Sequence, residues 1–270
     1  MTPSASSGPV VLLGCGRLGS AIVEGWLKTG AVAPSDLVIL TPSEKPAAER
    51  ARALGARINP SGSELQAARV LVLAVKPAKW RAAFEPLVDA LGAQTRLVSV
   101  MAGVSAADIA QAGGQGGARP IARVMPTTAV AQARGIAALW SADPEAREIA
   151  RTLFSPMAEV VDLEAEAQID AATAVAGSAP AFVYAFVQAL IEAGEAEGLS
   201  EEAAQRLARG ALRSAGAGVE TDETLGALIA RIASPGGTTR AGLDAMAASG
   251  DLERAASTAV TAAVQRARSL

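Results

Sequence analysis

The chain has 270 residues, with 24 Lys and Arg against 27 Asp and Glu and no histidine. A net charge of −3 argues against a nucleic-acid or anionic-membrane partner, since either needs a basic surface to displace counterions. The missing histidines exclude His-based triads, imidazole acid–base chemistry and His metal sites, and a lone Cys15 excludes an intrachain disulfide or a Cys-rich metal cluster, so no metal is expected and the cytoplasm is the expected compartment.

Half the residues are apolar but only 3% are aromatic, so the core is expected to be built from Ala, Val, Leu and Ile. The N-terminal stretch to Cys15 ends in Leu12-Leu13-Gly14-Cys15, faintly like a lipoprotein cleavage site. No Lys or Arg precedes it, and its apolar run is too short for a signal peptide. Apolar runs without alternation at 10–13, 37–40, 70–75, 97–100 and 121–125 are expected as strands buried on both faces. Helical stretches at 18–28, 46–54 and 80–91 lie between them. Such alternation predicts a Rossmann-type α/β domain with a mostly parallel sheet covered on both sides. A strand at 136–140, a helix at 144–154 and a strand at 160–162 complete it, and Gly113-Gly114-Gln115-Gly116-Gly117 is expected as a flexible loop.

Beyond residue 166 no strand-like run remains. Helices are expected at 179–197, 201–219, 224–232, 241–248 and 252–268, the first two packed as a hairpin because Gly198-Leu199-Ser200 combines a helix stop with a Ser N-cap. The expected division is therefore residues 1–166, a nucleotide-binding domain, and 167–270, an all-helical domain. Residues 171–191 carry no charge and are long enough to span a bilayer. Gly177, Ser178 and Pro180 at their centre are expected to break the helix, which favours burial between helices. The run 179–191 is also too continuously apolar for a helix with one solvent face, so a homodimer through the helical domain is expected.

The first strand runs into Gly14-Cys15-Gly16-Arg17-Leu18-Gly19 with a helix behind it, the context a dinucleotide-binding fingerprint requires. Gly14 is assigned the tight turn, Gly16 the close approach to a pyrophosphate and Gly19 the helix–strand packing, with the helix N-terminus facing the anion. The second strand ends in Thr41-Pro42-Ser43 with Lys45 behind, rather than in the acidic residue that holds a free ribose 2′-hydroxyl. Hydroxyls and a cation suit a 2′-phosphate, which points to NADP(H) over NADH. Glu44 is the counter-argument, and an ordinary capped turn is the plainer alternative. Cys15 is read as a small apolar residue rather than a reactive thiol.

Ser234-Pro235-Gly236-Gly237-Thr238-Thr239 lies between two helical stretches. Two glycines with hydroxyls on both sides at a helix start form either a nest of N–H groups for a small anion or a connection capped by threonines. Together with the glycine loop, this segment carries a likeness over nearly the whole chain. Gly14–Gly19 continued by Ser20-Ala21-Ile22, then Thr41-Pro42-Ser43, Ala74-Val75-Lys76-Pro77, Met101-Ala102-Gly103-Val104, Arg123-Val124-Met125-Pro126, Ala176-Gly177-Ser178-Ala179-Pro180-Ala181-Phe182-Val183-Tyr184, and Ser234–Thr239 followed by Ala241-Gly242-Leu243 occur in one order. In this the chain resembles the pyrroline-5-carboxylate reductases, which make the last step of proline synthesis.

The resemblance implies reduction of the cyclic imine 1-pyrroline-5-carboxylate to L-proline by NADPH or NADH. It implies that Ser234, Gly236, Gly237, Thr238 and Thr239 hold the substrate, with Thr239 reaching the ring nitrogen in an orienting role. Arg17 and Leu18 fall within the cofactor loop, Ala74, Val75, Lys76, Pro77, Met101, Ala102 and Gly103 line the nicotinamide side, and Asn59 is an adenosine-side contact. It also implies dimers intertwined through the helical domain and assembly into decamers. The chain departs from the family where Gly16-Arg17-Leu18 replaces Gly-Asn-Met, Met125-Pro126-Thr127-Thr128-Ala129 replaces Met-Pro-Asn-Thr-Pro, and Ala179 replaces a glycine. The alternatives are a related reductase of another cyclic imine or keto acid, and a non-catalytic NADP-binding regulatory protein.

Overall fold

The computed structural model describes residues 8–60, 62–113 and 119–269; of the glycine loop expected at 113–117, Gly113 ends a helix and residues 114–117 lie outside the described ones. The chain divides into two compact units, residues 1–177 together with 263–270, and residues 178–262.

The first unit is built on eight strands: β1 Val10–Leu13, β2 Leu37–Leu40, β3 Arg57–Ile58, β4 Val70–Leu73, β5 Arg96–Ser99, β6 Ile121–Pro126, β7 Gly135–Ser141 and β8 Ala158–Asp162. They form one sheet in the order β3-β2-β1-β4-β5-β6-β7-β8. Every neighbouring pair is parallel except β6–β7, whose short connection makes an antiparallel step. Seven helices accompany it: α1 Arg17–Thr29, α2 Pro46–Ala53, α3 Ser63–Gln66, α4 Trp80–Phe84, α5 Ala106–Ala112, α6 Pro144–Phe154 and α7 Gln168–Ala172.

The continuous apolar strands have the physical cause the sequence implies, a core on each face. Val10 and Leu12 point with Leu37, Ile39, Val70 and Val72 toward Ile22, Trp26, Leu153 and Phe154. Val11 and Leu13 alternate to the other face, against Trp80, Phe84 and Ile109. The buried Trp26 indole donates to Leu153 O at 3.0 Å, so the largest side chain of α1 is satisfied as well as packed.

The second unit holds α8 Ala179–Ala196, α9 Glu201–Gly218, α10 Leu225–Ile232, α11 Thr238–Ser249 and the greater part of α12 Asp251–Arg268. The expected hairpin is present: Gly198 ends α8 with φ +98°, and Ser200 caps α9 by accepting from Ala203 N–H.

Four expectations change in detail. The strand at 70–75 ends at Leu73, because the chain turns at Lys76 into the single turn Pro77–Lys79. The helix at 80–91 tightens to a 3-10 turn at Glu85–Ala90, where Pro86 has no N–H to give an α-helical bond. The helix expected to break near 177–180 does not: a π turn, Thr173–Ser178, joins α7 to α8, and Pro180 falls in the first turn of α8, where a residue without an N–H is tolerated. The helix expected at 241–248 starts three residues earlier, at Thr238. The spatial division at 177/178 also falls later than the change in sequence character. Ile169 of α7 is buried with Met125 and Ala138 of the sheet, and Arg268 near the C-terminus lies 3.6 Å from Asp170.

Candidate functional site

The parallel strands β2, β1, β4 and β5 all end at one edge of the sheet, where open α/β folds bind ligands. A cleft of about 770 Å³ opens there. It is lined by Gly14, Cys15 and Gly16 after β1, by Thr41, Pro42, Ser43 and Lys45 after β2, by Asn59 after β3, and by Ala74, Val75 and Lys76 after β4.

The three loop glycines serve three different demands. Gly14 has φ +100°, and a Cβ there would come within 2.7 Å of Ala74 O, so the turn itself requires glycine. A Cβ at Gly19 would drive into Gly14 O, so helix–strand packing requires it. Gly16 has φ −75°, and a Cβ there would meet nothing within 4 Å. Gly16 is the N-cap of α1, a position that favours glycine, and the open space beside it leaves the backbone at the start of the helix accessible to an anion such as a pyrophosphate.

After β2, where the sequence places the 2′ end of a cofactor as an expectation, Asn59 holds the loop rather than standing free. Its amide oxygen accepts from Thr41 N–H at 2.9 Å and its amide nitrogen donates to Thr41 O at 2.8 Å. Asn59 does this with φ +48°, a left-handed conformation that asparagine tolerates better than most residues. The buried Thr41 hydroxyl donates to Ser43 O at 3.0 Å. That leaves Ser43 exposed and Lys45 half-buried on the cleft wall. Glu44 and Arg52 line a shallower concavity beside it, where Arg52 is paired with Glu49 at 2.8 Å. Three of the four lysines in the chain, Lys45, Lys76 and Lys79, line the main cleft. Lys79 was not singled out from sequence, since only the turn at Pro77–Lys79 brings it back. The scarcity of lysine elsewhere was the available signal.

Other expected cofactor residues stand apart from this lining. Arg17 and Leu18 open α1, and Pro77 starts the turn behind Lys76. Met101 is buried, while Gly103, with φ +69°, borders a separate concavity with Ser105, Arg123 and Glu166. Cys15 is buried, its Sγ 3.5 Å from Ser20 Oγ, and burial pushes its thiol pKa up, which suits the small-apolar reading over a reactive one.

In the second unit, Ser234-Pro235-Gly236-Gly237 forms a turn closed by Gly237 N–H to Ser234 O at 3.0 Å, with Gly236 at φ +71°. Thr238 and Thr239 are the first two residues of α11 and are exposed, so they do not cap it from outside. The first intrahelical bond is Ala241 N–H to Gly237 O, leaving the N–H groups of Thr238, Thr239 and Arg240 without helical acceptors. A turn with a free first helical turn and two exposed hydroxyls is suited to a small carboxylate.

Residues 166–270 match the family described as pyrroline-5-carboxylate reductase dimerisation, and residues 9–103 match that described as NADP oxidoreductase, coenzyme F420-dependent. The pyrroline-5-carboxylate reductase of Pseudomonas aeruginosa is 34% identical over 266 residues, covering 97% of this chain and 96% of its own. That of Escherichia coli is 32% identical over 232 residues, covering 84% and 85%. The solved structure of a pyrroline-5-carboxylate reductase from Coxiella burnetii matches with a TM-score of 0.85 at 28% identity over 98% of each chain. The Plasmodium falciparum pyrroline carboxylate reductase with NADP bound has the same fold, with a TM-score of 0.81 at 24% identity over 98% of this chain and 99% of its own.

Proposed function

The chain belongs to the pyrroline-5-carboxylate reductase family, and on that premise we propose that it reduces 1-pyrroline-5-carboxylate to L-proline with NADPH, in the cytoplasm, as the last step of proline synthesis. The observation that carries the cofactor half is the cleft at the sheet edge, which joins the open backbone of Gly16 at the start of α1 to a wall of Ser43 and three lysines. NADPH supplies a hydride when bound.

The chain's own work is placement. Gly16, with Arg17 and Leu18 at the head of α1, brings N–H groups to the pyrophosphate, on a turn that Gly14 makes and a helix–strand contact that Gly19 permits. Ser43 and Lys45 receive the 2′-phosphate, on a loop whose geometry Asn59 fixes through Thr41. Ala74, Val75, Lys76 and Pro77, with Met101, Ala102 and Gly103, flank the nicotinamide end. The Ser234 and Thr238 hydroxyls and the N–H groups of Gly236 and Thr238 hold the substrate carboxylate, on a turn that Gly237 closes by its own N–H to Ser234 O. The Thr239 hydroxyl hydrogen-bonds the ring nitrogen. No imidazole is needed, because a protonated imine already carries its proton, and orientation alone supplies much of the acceleration.

We propose a homodimer through the helical region, with decamers as its further assembly. Leu225, Ile229 and Ile232 repeat at helical spacing along α10 and are 66%, 47% and 68% exposed, an apolar stripe larger than isolated surface residues make. The run Gln168–Ala196 is long and apolar enough to cross a membrane, with 17% of its most apolar window buried. A second chain, rather than a bilayer, covers its α8 portion in this proposal.

The test is initial rates with pyrroline-5-carboxylate and a six-membered cyclic imine, each with NADPH and NADH. Fastest turnover of the five-membered imine with NADPH is expected. Preference for another imine or a keto acid would move the assignment to a related reductase. For Thr239→Ala, kcat should fall more than NADPH affinity; equal losses would remove its proposed role.

A further inference from the structure

Arg123 is a charged side chain in the middle of β6, 6% exposed, on the sheet face it shares with Ile121 and Met125. A buried cation is costly unless paired. One guanidinium nitrogen donates to Glu166 Oε1 at 3.0 Å and the other to Met101 O at 3.3 Å, while its buried Nε has no partner. The same Glu166 oxygen accepts from Ala106 N–H, the first residue of α5, at 2.6 Å. One ion pair therefore fixes both ends of the segment from Met101 to Ala106: its first carbonyl through Arg123 and its last N–H through Glu166. Gly103, with φ +69°, sits between these anchors, where the backbone is otherwise free to turn.

That segment follows β5. Along the sheet edge the order runs from β2, where the 2′ end was placed, through β1 to β4 and β5. An extended dinucleotide with its pyrophosphate on β1 and its adenosine toward β2 has its nicotinamide end toward β4 and β5. We propose that Arg123, held by Glu166, is the positioning residue for the nicotinamide end of the cofactor: it sets the Met101–Gly103 backbone without touching the cofactor. The proposal rests on the dinucleotide-binding part of the function above and not on the identity of the imine.

The geometry predicts a division between the two halves of the cofactor. In Arg123→Lys an ammonium keeps the charge but cannot reach Glu166 and Met101 O together in the flat fork a guanidinium provides. Binding of NADPH and of adenosine 2′,5′-bisphosphate, its adenosine half, is measured by calorimetry on the full chain. NADPH affinity should fall about tenfold, the loss expected if the Met101–Gly103 backbone then holds its binding conformation about a tenth of the time, and kcat should fall with it. The bisphosphate affinity should stay within about twofold of the wild type. Parallel loss of both ligands would show that Arg123 only supports the domain, and unchanged NADPH binding would show that it positions nothing; either result overturns the proposal. If Arg123→Lys does not fold, Glu166→Gln, at a side chain 25% exposed, is measured in the same way with the same two readings. Should the wild type bind NADPH yet leave pyrroline-5-carboxylate unreduced, the substrate assignment fails while this comparison still decides the role of Arg123.

Discussion

Gly14 and Gly16 lie two residues apart in one loop, and the structure separates what each does so cleanly that the same substitution should have different effects. In Gly14→Ala the new Cβ sits at φ +100° and 2.7 Å from Ala74 O. A left-handed conformation costs about 1–2 kcal/mol for a residue with a Cβ, and forcing atoms into a packed site adds about 1–3 kcal/mol. The sum of about 2–5 kcal/mol lowers the melting temperature by roughly 4–20 °C for a domain of this size. In Gly16→Ala, φ is −75° and nothing lies within 4 Å. A gain of about 0.4–1 kcal/mol through the unfolded chain is offset by the poorer N-cap that Ala makes for α1, so the unliganded protein should change by no more than about 1 kcal/mol. Its main cost appears with ligand. If NADPH affinity falls about tenfold, a concentration that was 100 times Kd becomes 10 times Kd, and the stabilisation by ligand drops from about 2.7 to about 1.4 kcal/mol. The assay is thermal melting of both variants and the wild type at one protein concentration, with and without NADPH. A Gly16→Ala variant that gains as much from NADPH as the wild type, or that melts as low as Gly14→Ala without it, refutes the reasoning.

Lys45→Glu should lower kcat/KM with NADPH about tenfold or more while sparing NADH, as expected for one charge-assisted phosphate contact; equal loss with both cofactors would place the 2′-phosphate elsewhere. Ile232→Lys, at a side chain 68% exposed, should shift the mass measured by light scattering toward the 27.1 kDa of one chain, and an unchanged mass would exclude the α10 stripe from the interface. The Ser105 hydroxyl, bonded to Asp108, holds the Asp108 carboxyl below its usual 3.8. A depressed carboxyl contributes stability that is complete above that value and is lost as the pH falls through its own lower one. The melting difference between wild type and Asp108→Asn should therefore be present near neutrality and close in acid below pH 3.8; a difference that grows in acid contradicts the sign.

Much of the first unit was legible because its strands are buried on both faces. Val10–Leu13 and Leu37–Leu40 have apolar side chains at successive positions only because two cores receive them. The glycine loop was legible for a similar reason, since its spacing reflects local geometry. What escaped was set by distant parts of the chain. Nothing near Asn59 announces that its amide will hold Thr41, 18 residues away, by two hydrogen bonds. Nothing near Arg123 announces a partner 43 residues on. The start of α11 at Thr238, ahead of the expected 241, follows from a division between adjacent glycines that their sequence does not announce: Gly236 makes the turn and Gly237 is already the N-cap, so Thr238 and Thr239 lie inside the helix rather than capping it.

Product stoichiometry is the measurement that decides whether the protein reduces pyrroline-5-carboxylate to L-proline with NADPH. The protein is incubated with pyrroline-5-carboxylate and limiting NADPH, and the amino acid formed is quantified by chiral chromatography. One L-proline is expected for each NADPH consumed. NADPH that binds but is not consumed, or is consumed without proline appearing, would contradict it.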